Sequence, residues 1–320
     1  MKVHIFNPEN DMALADGQPG YTPPATIRQM RHDLAWLPKW WAQEDDFVWD
    51  GVEEIPPLAA GDEICPWGWS PALIHQLRQA GVKETFLPSD SQMERLRMLS
   101  HRQTAVEALR KMRADGVAGD YLNGESCLCT SEEEVSEAIS RFGECVLKAP
   151  WSSSGKGLML STAPNLNGWC SHILRQQGSI VVERKLERLA DFALLFRLDG
   201  KGGVEYRGLS LFMTNETGAY TGNWLAPEGE KLQWLLQYLP PQPLVETRRW
   251  WEEYLTHFDY RGPLGIDMML CPGSLCPCIE TNWRMTMGHV AQALTEQGHT
   301  GKLLVHYIYG QYCAEVEAFQ

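Results

Sequence analysis

The apolar run Lys2-Val3-His4-Ile5-Phe6 has strand character and ends in a polar loop, Asn7-Pro8-Glu9-Asn10-Asp11, with strong turn chemistry. A second apolar run covers 62–66. Ser70 and Pro71 then start a helix, with Ser as N-cap and Pro in the first turn, and Gly81 ends it. Glu84-Thr85-Phe86-Leu87 reads as the next strand. Strand, helix, strand is the grammar of a parallel sheet. Ser100 and Gln103 have capping-box spacing, and Ala105, Val106, Leu109 and Met112 follow at helical period up to Gly116. Ser131 and Glu134 repeat that box before Val135, Ala138, Ile139 and Phe142, and their acidic first turn suits the helix dipole. From about 145 to 225 the pattern predicts short strands broken by Gly-rich turns. Helices are expected over 250–258, 287–294 and 302–319.

Composition sets the outer limits. A chain of 320 residues exceeds one ordinary domain, and 44% hydrophobic with 22% charged residues is a globular balance. The divisions expected are an N-terminal α/β unit over 1–95, a smaller subdomain with the glycine loop over 96–180 and a larger one over 181–320. Thirteen tryptophans point to thick cores. A net charge of −13 argues against a nucleic-acid surface, which needs clustered Lys and Arg. No signal-peptide pattern and no apolar stretch near membrane-spanning length stands in the sequence, so the expectation is a soluble cytoplasmic protein without a membrane partner. The nine scattered cysteines do not read as a disulfide framework. Cys127 with Cys129, and Cys271 with Cys276 and Cys278, lack zinc spacing and read as small buried hydrophobes.

Candidate chemistry begins at Lys148. It ends the strand 145–148 and leads through Ala149-Pro150 into Trp151, Ser152, Ser153, Ser154, Gly155, Lys156 and Gly157. Such a loop brings backbone N–H groups to one point and can hold phosphate oxygens, with Lys148 as a nearby cation. It is not a P-loop: Gly157 stands where Ser or Thr is required, Pro150 holds the first Gly position, and a strand follows. An ordinary surface hairpin is the alternative.

The sharper pattern spans 265–284. Two strands flank Pro272-Gly273-Ser274, and a turn centred on Gly273-Ser274 sets Cys271 against Cys276 and Asp267 against Glu280. Facing carboxylates repel unless something positive sits between them. Glu280, Asn282 and Arg284 alternate onto one face. Two carboxylates and an amide oxygen suit Mg2+, and Arg284 can hold an anion bidentately.

Lys148, the small Gly/Ser loop, Ile180-Val181-Val182-Glu183 with Leu186, and the Glu280-x-Asn282-x-Arg284 strand together resemble the ATP-grasp superfamily over about 95–300. The resemblance implies an ATP-grasp α+β fold, two subdomains clamping ATP, behind an N-terminal α/β domain with a parallel sheet. It implies that Lys148 binds the α- and β-phosphates and that 152–157 covers the terminal phosphates. Glu183 and the backbone of Arg184, Lys185 and Leu186 would read adenine, and Asp191, or else Glu187, the ribose. Asp267, Glu280 and Asn282 would hold Mg2+, with Mn2+ able to substitute. Arg102 stands where many members carry a lysine, and Asp267 where Glu is common. The implied activity is ATP-dependent ligation of a carboxylate to an amine through an acyl-phosphate, with small-molecule substrates. A kinase or an inactive nucleotide-binding module on the same fold are the alternatives. The loops 7–11 and 65–70, and Asn215, Tyr220 and Asn223, are candidate substrate contacts.

Overall fold

The computed structural model describes residues 1–152, 157–215 and 219–318, and these form three sheets. In the first, β1 (Lys2–Ile5) pairs in parallel with β2 (Phe47–Trp49) on one side and β3 (Glu63–Pro66) on the other. Helices α1 (Asn10–Asp16) and α2 (Ala25–Asp33) fill the crossover to β2, and α3 (Pro71–Gln79) follows β3. Ser70 caps α3, its Oγ accepting from the Leu73 N–H at 3.2 Å. Val3, Ile5, Trp49, Ile64, Leu73 and Leu77 make the core between sheet and helix.

Two local expectations fail here. Residues 84–86 form a single 3-10 turn, and the third parallel strand is β2 instead. Ser100 does not open a helix; it ends α4 (Asp90–Leu99), whose own capping box is Ser89 with Gln92. Helix α5 (Gln103–Ala114) then starts from Arg102 without a side-chain cap. The same Ser-x-x-Gln pattern stands at both places, but Ser100 keeps helical φ and ψ as the end of α4, its N–H donating to the Leu96 carbonyl at 2.9 Å, so it cannot take the extended backbone of an N-cap.

The second sheet is antiparallel, in the order β4 (Ser126–Cys129), β7 (Ile180–Arg184), β5 (Cys145–Lys148), β6 (Leu158–Leu160). Helices α6 (Glu132–Phe142) and α7 (Leu166–Gln177) pack Val135, Ala138, Cys170 and Ile173 onto Leu147, Ile180 and Val182. Helix α7 corrects the expected run of strands: Leu166, Trp169, Cys170, Ile173 and Leu174 recur at helical period, and Gly178 ends it at φ 79°. Ser131 caps α6 at 3.2 Å, but the Glu134 carboxylate turns to Thr130, so the box is only half formed.

Seven antiparallel strands make the third sheet, in the order β12 (Ser274–Asn282), β11 (Arg261–Cys271), β8 (Ala190–Asp199), β9 (Val204–Thr214), β10 (Tyr220–Leu225), β13 (Gly301–Ile308), β14 (Gln311–Glu317). Its apolar face carries Phe192, Leu194, Leu209, Ile266 and Met268 and shares one core with Leu109 and Met112 of α5, Leu235 of α8 (Glu228–Leu235) and Trp251 of α9 (Pro241–Tyr254). Helix α10 (Met287–Glu296) runs where the sequence predicts it. The helix expected over 302–319 is the β13–β14 hairpin. Tyr309 and Gly310 both take positive φ, 51° and 83°, in a two-residue turn, and the flanking Val, Ile and Tyr side chains suit strands. No helix among the described residues is long and apolar enough to cross a membrane.

Candidate active site

The hairpin of β11 and β12 brings Asp267 opposite Glu280, as the sequence predicts, by a different route. The turn is Pro272-Gly273, so Cys271 faces Ser274 and not Cys276, while Met269 faces Cys276. Before Asp267 is reached, β12 carries Pro277, Cys278 and Ile279 against Met268 alone, and this irregularity restores the Asp267–Glu280 register. Pro277 has no N–H to give the ladder, and its carbonyl accepts from Trp251 Nε1 at 3.3 Å.

Ala193 of β8 pairs with Asp267, Asp191 with Met269, and Asn282 with Gly265. Directly paired residues share a face. Asp191, Asp267, Glu280 and Asn282 therefore stand on one face of the sheet, opposite the apolar side chains of the core. Asp267 is pushed up to about 7, first by burial and then by Glu280, although the Asn282 amide donates to its Oδ2 at 3.1 Å. Burial leads this rise and the facing carboxylate adds to it, while the Arg284 guanidinium opposes it.

Of the two cations expected at the phosphates, Arg102 reaches this carboxylate pair and Lys148 is held within the smaller sheet. Lys148, at the end of β5, reaches diagonally to Glu183 on β7, with Nζ 2.6 Å from Oε2; their side chains are 7% and 16% exposed. Arg102 is buried at the start of α5. Its Nη2 lies 3.0 Å from Glu280 Oε1 and 3.0 Å from Ser152 Oγ, and its Nε donates to the Ala149 carbonyl at 3.1 Å. One guanidinium thus ties the base of the glycine loop to the acidic hairpin. Gly157 closes that loop, its carbonyl accepting from the Ala149 N–H at 2.8 Å. It holds φ 72°, and a Cβ there would sit 2.8 Å from Ser152 Cβ. Ser153, Ser154, Gly155 and Lys156 lie outside the described residues.

After Glu183, the N–H groups of Arg184 and Lys185 donate to the carbonyls of Glu125 and Glu144, at 2.9 and 2.8 Å. Their side chains pair with the Glu125 and Glu144 carboxylates. Leu186 follows, half-buried. Asp191 accepts from Thr214 Oγ1 at 2.8 Å and Arg188 Nη1 at 3.1 Å, and borders a cavity of about 370 Å³ that Phe212 and Trp234 also line. Asn223 shares that face through Phe212, held by Tyr220 Oη at 2.6 Å and donating to Ser210 Oγ at 2.7 Å.

Arg284 lies beyond the end of β12, so strand alternation does not orient it. Its Nε and Nη2 donate to the Asp11 carboxylate, at 3.0 and 2.7 Å to Oδ2, and its Nη1 donates to the Met285 carbonyl at 3.0 Å. The Met285 N–H donates to the Trp67 carbonyl at 2.8 Å. Both N-terminal loops singled out in the sequence therefore meet the chain where it leaves the hairpin. The Asp11 contact and the Thr214 and Arg188 partners of Asp191 carry no local sequence signal.

No family model and no curated protein matches the sequence. Solved structures match its fold. N5-carboxyaminoimidazole synthetase from Staphylococcus aureus complexed with ADP aligns at TM-score 0.52 and 12% identity, over 96% of this chain and 82% of that one. Biotin carboxylase from Campylobacter jejuni in a beta-gamma-ATP complex aligns at 0.53 and 13%, over 92% and 67%. Phosphoribosylamine–glycine ligase from Thermotoga maritima aligns at 0.51 and 16%, over 95% and 80%. The likeness shows that this chain has the ATP-grasp fold.

Proposed function

We propose that the protein is an ATP- and Mg2+-dependent ligase that joins a carboxylate to an amine through an acyl-phosphate. The carrying observation is the Arg102 bridge, which places the base of the glycine loop and the Asp267–Glu280 hairpin around one buried cation. The donor set fits the metal: two facing carboxylates, one of them raised by burial and by the other, and an amide that would turn its oxygen inward once a cation displaces the Asp267 contact. Asp267, Glu280 and Asn282 would hold Mg2+, or Mn2+ in its place, which when bound neutralises phosphate charge.

Lys148 would leave Glu183 for the α- and β-phosphates, and Arg102 would face the terminal phosphates beside Ser152. Residues 152–157 would shield them from water. Val181, on the Lys148 face of β7, would offer apolar backing beneath the adenine, whereas Val182 packs under α6 and α7. The Arg184 and Lys185 N–H groups are already spent, so the Leu186 N–H and neighbouring carbonyls would read the base edge. Asp191 would accept from the ribose. A substrate carboxylate oxygen then attacks the γ-phosphorus, ADP leaves, and an amine displaces phosphate from the acyl-phosphate. Arg284, oriented by Asp11, would hold the anionic acyl-phosphate, so no protein nucleophile is needed. Nine free thiols suit a reducing, cytoplasmic setting.

Phosphate release from ATP, screened over pairs of small carboxylic acids and amines with mass spectrometry of the products, tests this. Release that requires both partners and yields an amide supports it. A phosphorylated product formed without amine makes the protein a kinase, and tight ATP binding without turnover makes it a binding module; either overturns the ligase reading.

A further inference from the structure

Outside the nucleotide cleft, the smaller sheet presents a pair of thiols that the proposed reaction does not use. Cys127 and Cys129 alternate along β4, the edge strand of that sheet, and so project from the same face, beside Val182 and Ile180 of β7. Their Sγ atoms are 3.8 Å apart. Cys129 is 2% exposed, whereas Cys127 is half-buried and can be reached from solvent.

The spacing discriminates between two fates. A disulfide needs Sγ atoms about 2.05 Å apart and Cβ atoms near 3.8 Å, while alternate residues of an extended strand stand roughly 6.6 Å apart along the chain. Closing that bond would buckle β4. An ion held linearly between two thiolates needs sulfurs at about twice a metal–sulfur distance of roughly 2.3 Å, hence about 4.6 Å. The observed 3.8 Å lies nearer the second geometry, and side-chain rotation alone can open it. A four-coordinate ion such as Zn2+ lacks further ligands, since no group of three or more His, Cys, Asp or Glu among the described residues could hold a metal. Two soft sulfurs and no third ligand select a monovalent soft cation.

We propose that Cys127 and Cys129 form a two-coordinate site for Cu(I). Each sulfur forms one bond to copper as the delivering ligand leaves, the two thiol protons pass to solvent, and copper stays in its +1 state. The bound unit, two thiolates and one Cu(I), is a net anion. Arg141 of α6 lies close enough to offset it, while Glu134 opposes. Both act on the Cys127 sulfur, Arg141 the more strongly. Neither sulfur touches the nucleotide cleft, so this site stands or falls independently of the ligase reading.

The test uses the reduced full-length protein under argon, Cu(I) supplied as its acetonitrile complex, and a chromogenic Cu(I) chelator as competitor. Wild type should withhold one Cu(I) per chain, with two sulfur neighbours by X-ray absorption. Loss even of an outer-shell partner costs up to about a hundredfold in metal affinity, so Cys127→Ser should lose at least that. Cys129→Ala should do the same, and Cys313→Ser, at an exposed thiol, should not. Cys127 packs little, so its variant keeps the test valid should the Cys129 change unfold the subdomain. Wild type competing no better than Cys127→Ser, a spectrum with three or four sulfurs, or loss in Cys313→Ser would overturn the proposal.

Discussion

Asp11 and Arg284, 273 residues apart in sequence, form a forked ion pair with both side chains 14% exposed. Asp11 takes the Nε–Nη2 edge of the guanidinium and the Met285 carbonyl takes one Nη1 proton, which fixes the plane of the fork. The N-terminal unit thereby sets the direction in which Arg284 can offer its remaining N–H groups. Losing one charge-assisted contact of this kind costs about 1.5–3 kcal/mol. Asp11→Ala should lower ligation by roughly ten- to a hundredfold and leave ATP affinity unchanged, with Asp11→Asn in between. Steady-state kinetics beside calorimetric ATP titration checks this; a parallel loss of ATP affinity would place Arg284 at the nucleotide instead.

Glu280 faces Asp267 and also holds Arg102 at 3.0 Å. Glu280→Gln keeps the shape and removes the charge, so it should abolish Mg2+-dependent turnover while the folded CD spectrum is retained. Asn282→Ala, which deletes a neutral donor, should be less severe. A Glu280→Gln protein that still turns over in proportion to Mg2+ would move the metal elsewhere.

Lys148 spends its charge on Glu183 in the nucleotide-free protein. Phosphates offer more charge than one carboxylate, so Lys148→Ala should weaken ATP by roughly ten- to a hundredfold and adenosine hardly at all. Glu183→Gln serves as the control, since it frees the lysine without removing it. Calorimetry with both ligands decides; equal losses for ATP and adenosine would put Lys148 away from the phosphates.

The raised carboxyl of Asp267 makes the metal-free protein sensitive to pH. Folded Asp267 keeps its proton up to about 7, whereas the unfolded chain releases it near 3.8. Between those values the native state binds more protons, so this group's contribution to stability falls as pH rises. Metal-free Asp267→Asn should therefore melt above wild type at pH 8 and lose that advantage near pH 5. Mg2+ should stabilise wild type at pH 8 and leave the variant unmoved. Thermal melts at both pH values, with and without Mg2+, give the answer; a variant that melts below wild type at pH 8 would contradict it.

The sequence alone was enough for the chemistry that strand alternation and turn residues encode. Asp267 meets Glu280 because the hairpin has a turn near Gly273, and Lys148 stands at a strand end because its neighbours are apolar. Even there the reasoning survived by compensation: the turn lies one residue earlier than expected, and the extra residues around Pro277 restore the register. Local pattern misled where two periods fit one stretch. The residues 302–319 satisfy a helical count, but Tyr309-Gly310 can take two left-handed conformations in succession, which a helix cannot use.

Long-range pairing was decided by the tertiary structure. That Arg102 joins Ser152 to Glu280, that Asp11 rather than a strand face orients Arg284, and that Thr214 and Arg188 hold Asp191 are meetings between segments far apart in the chain. Secondary structure is written in neighbours a few residues away, and periodicity reads it. Which charged side chain is buried against which carboxylate depends on how three sheets pack. Desolvation makes each such charge costly unless it is paired, so the partner is fixed by the whole fold and not by the residues beside it.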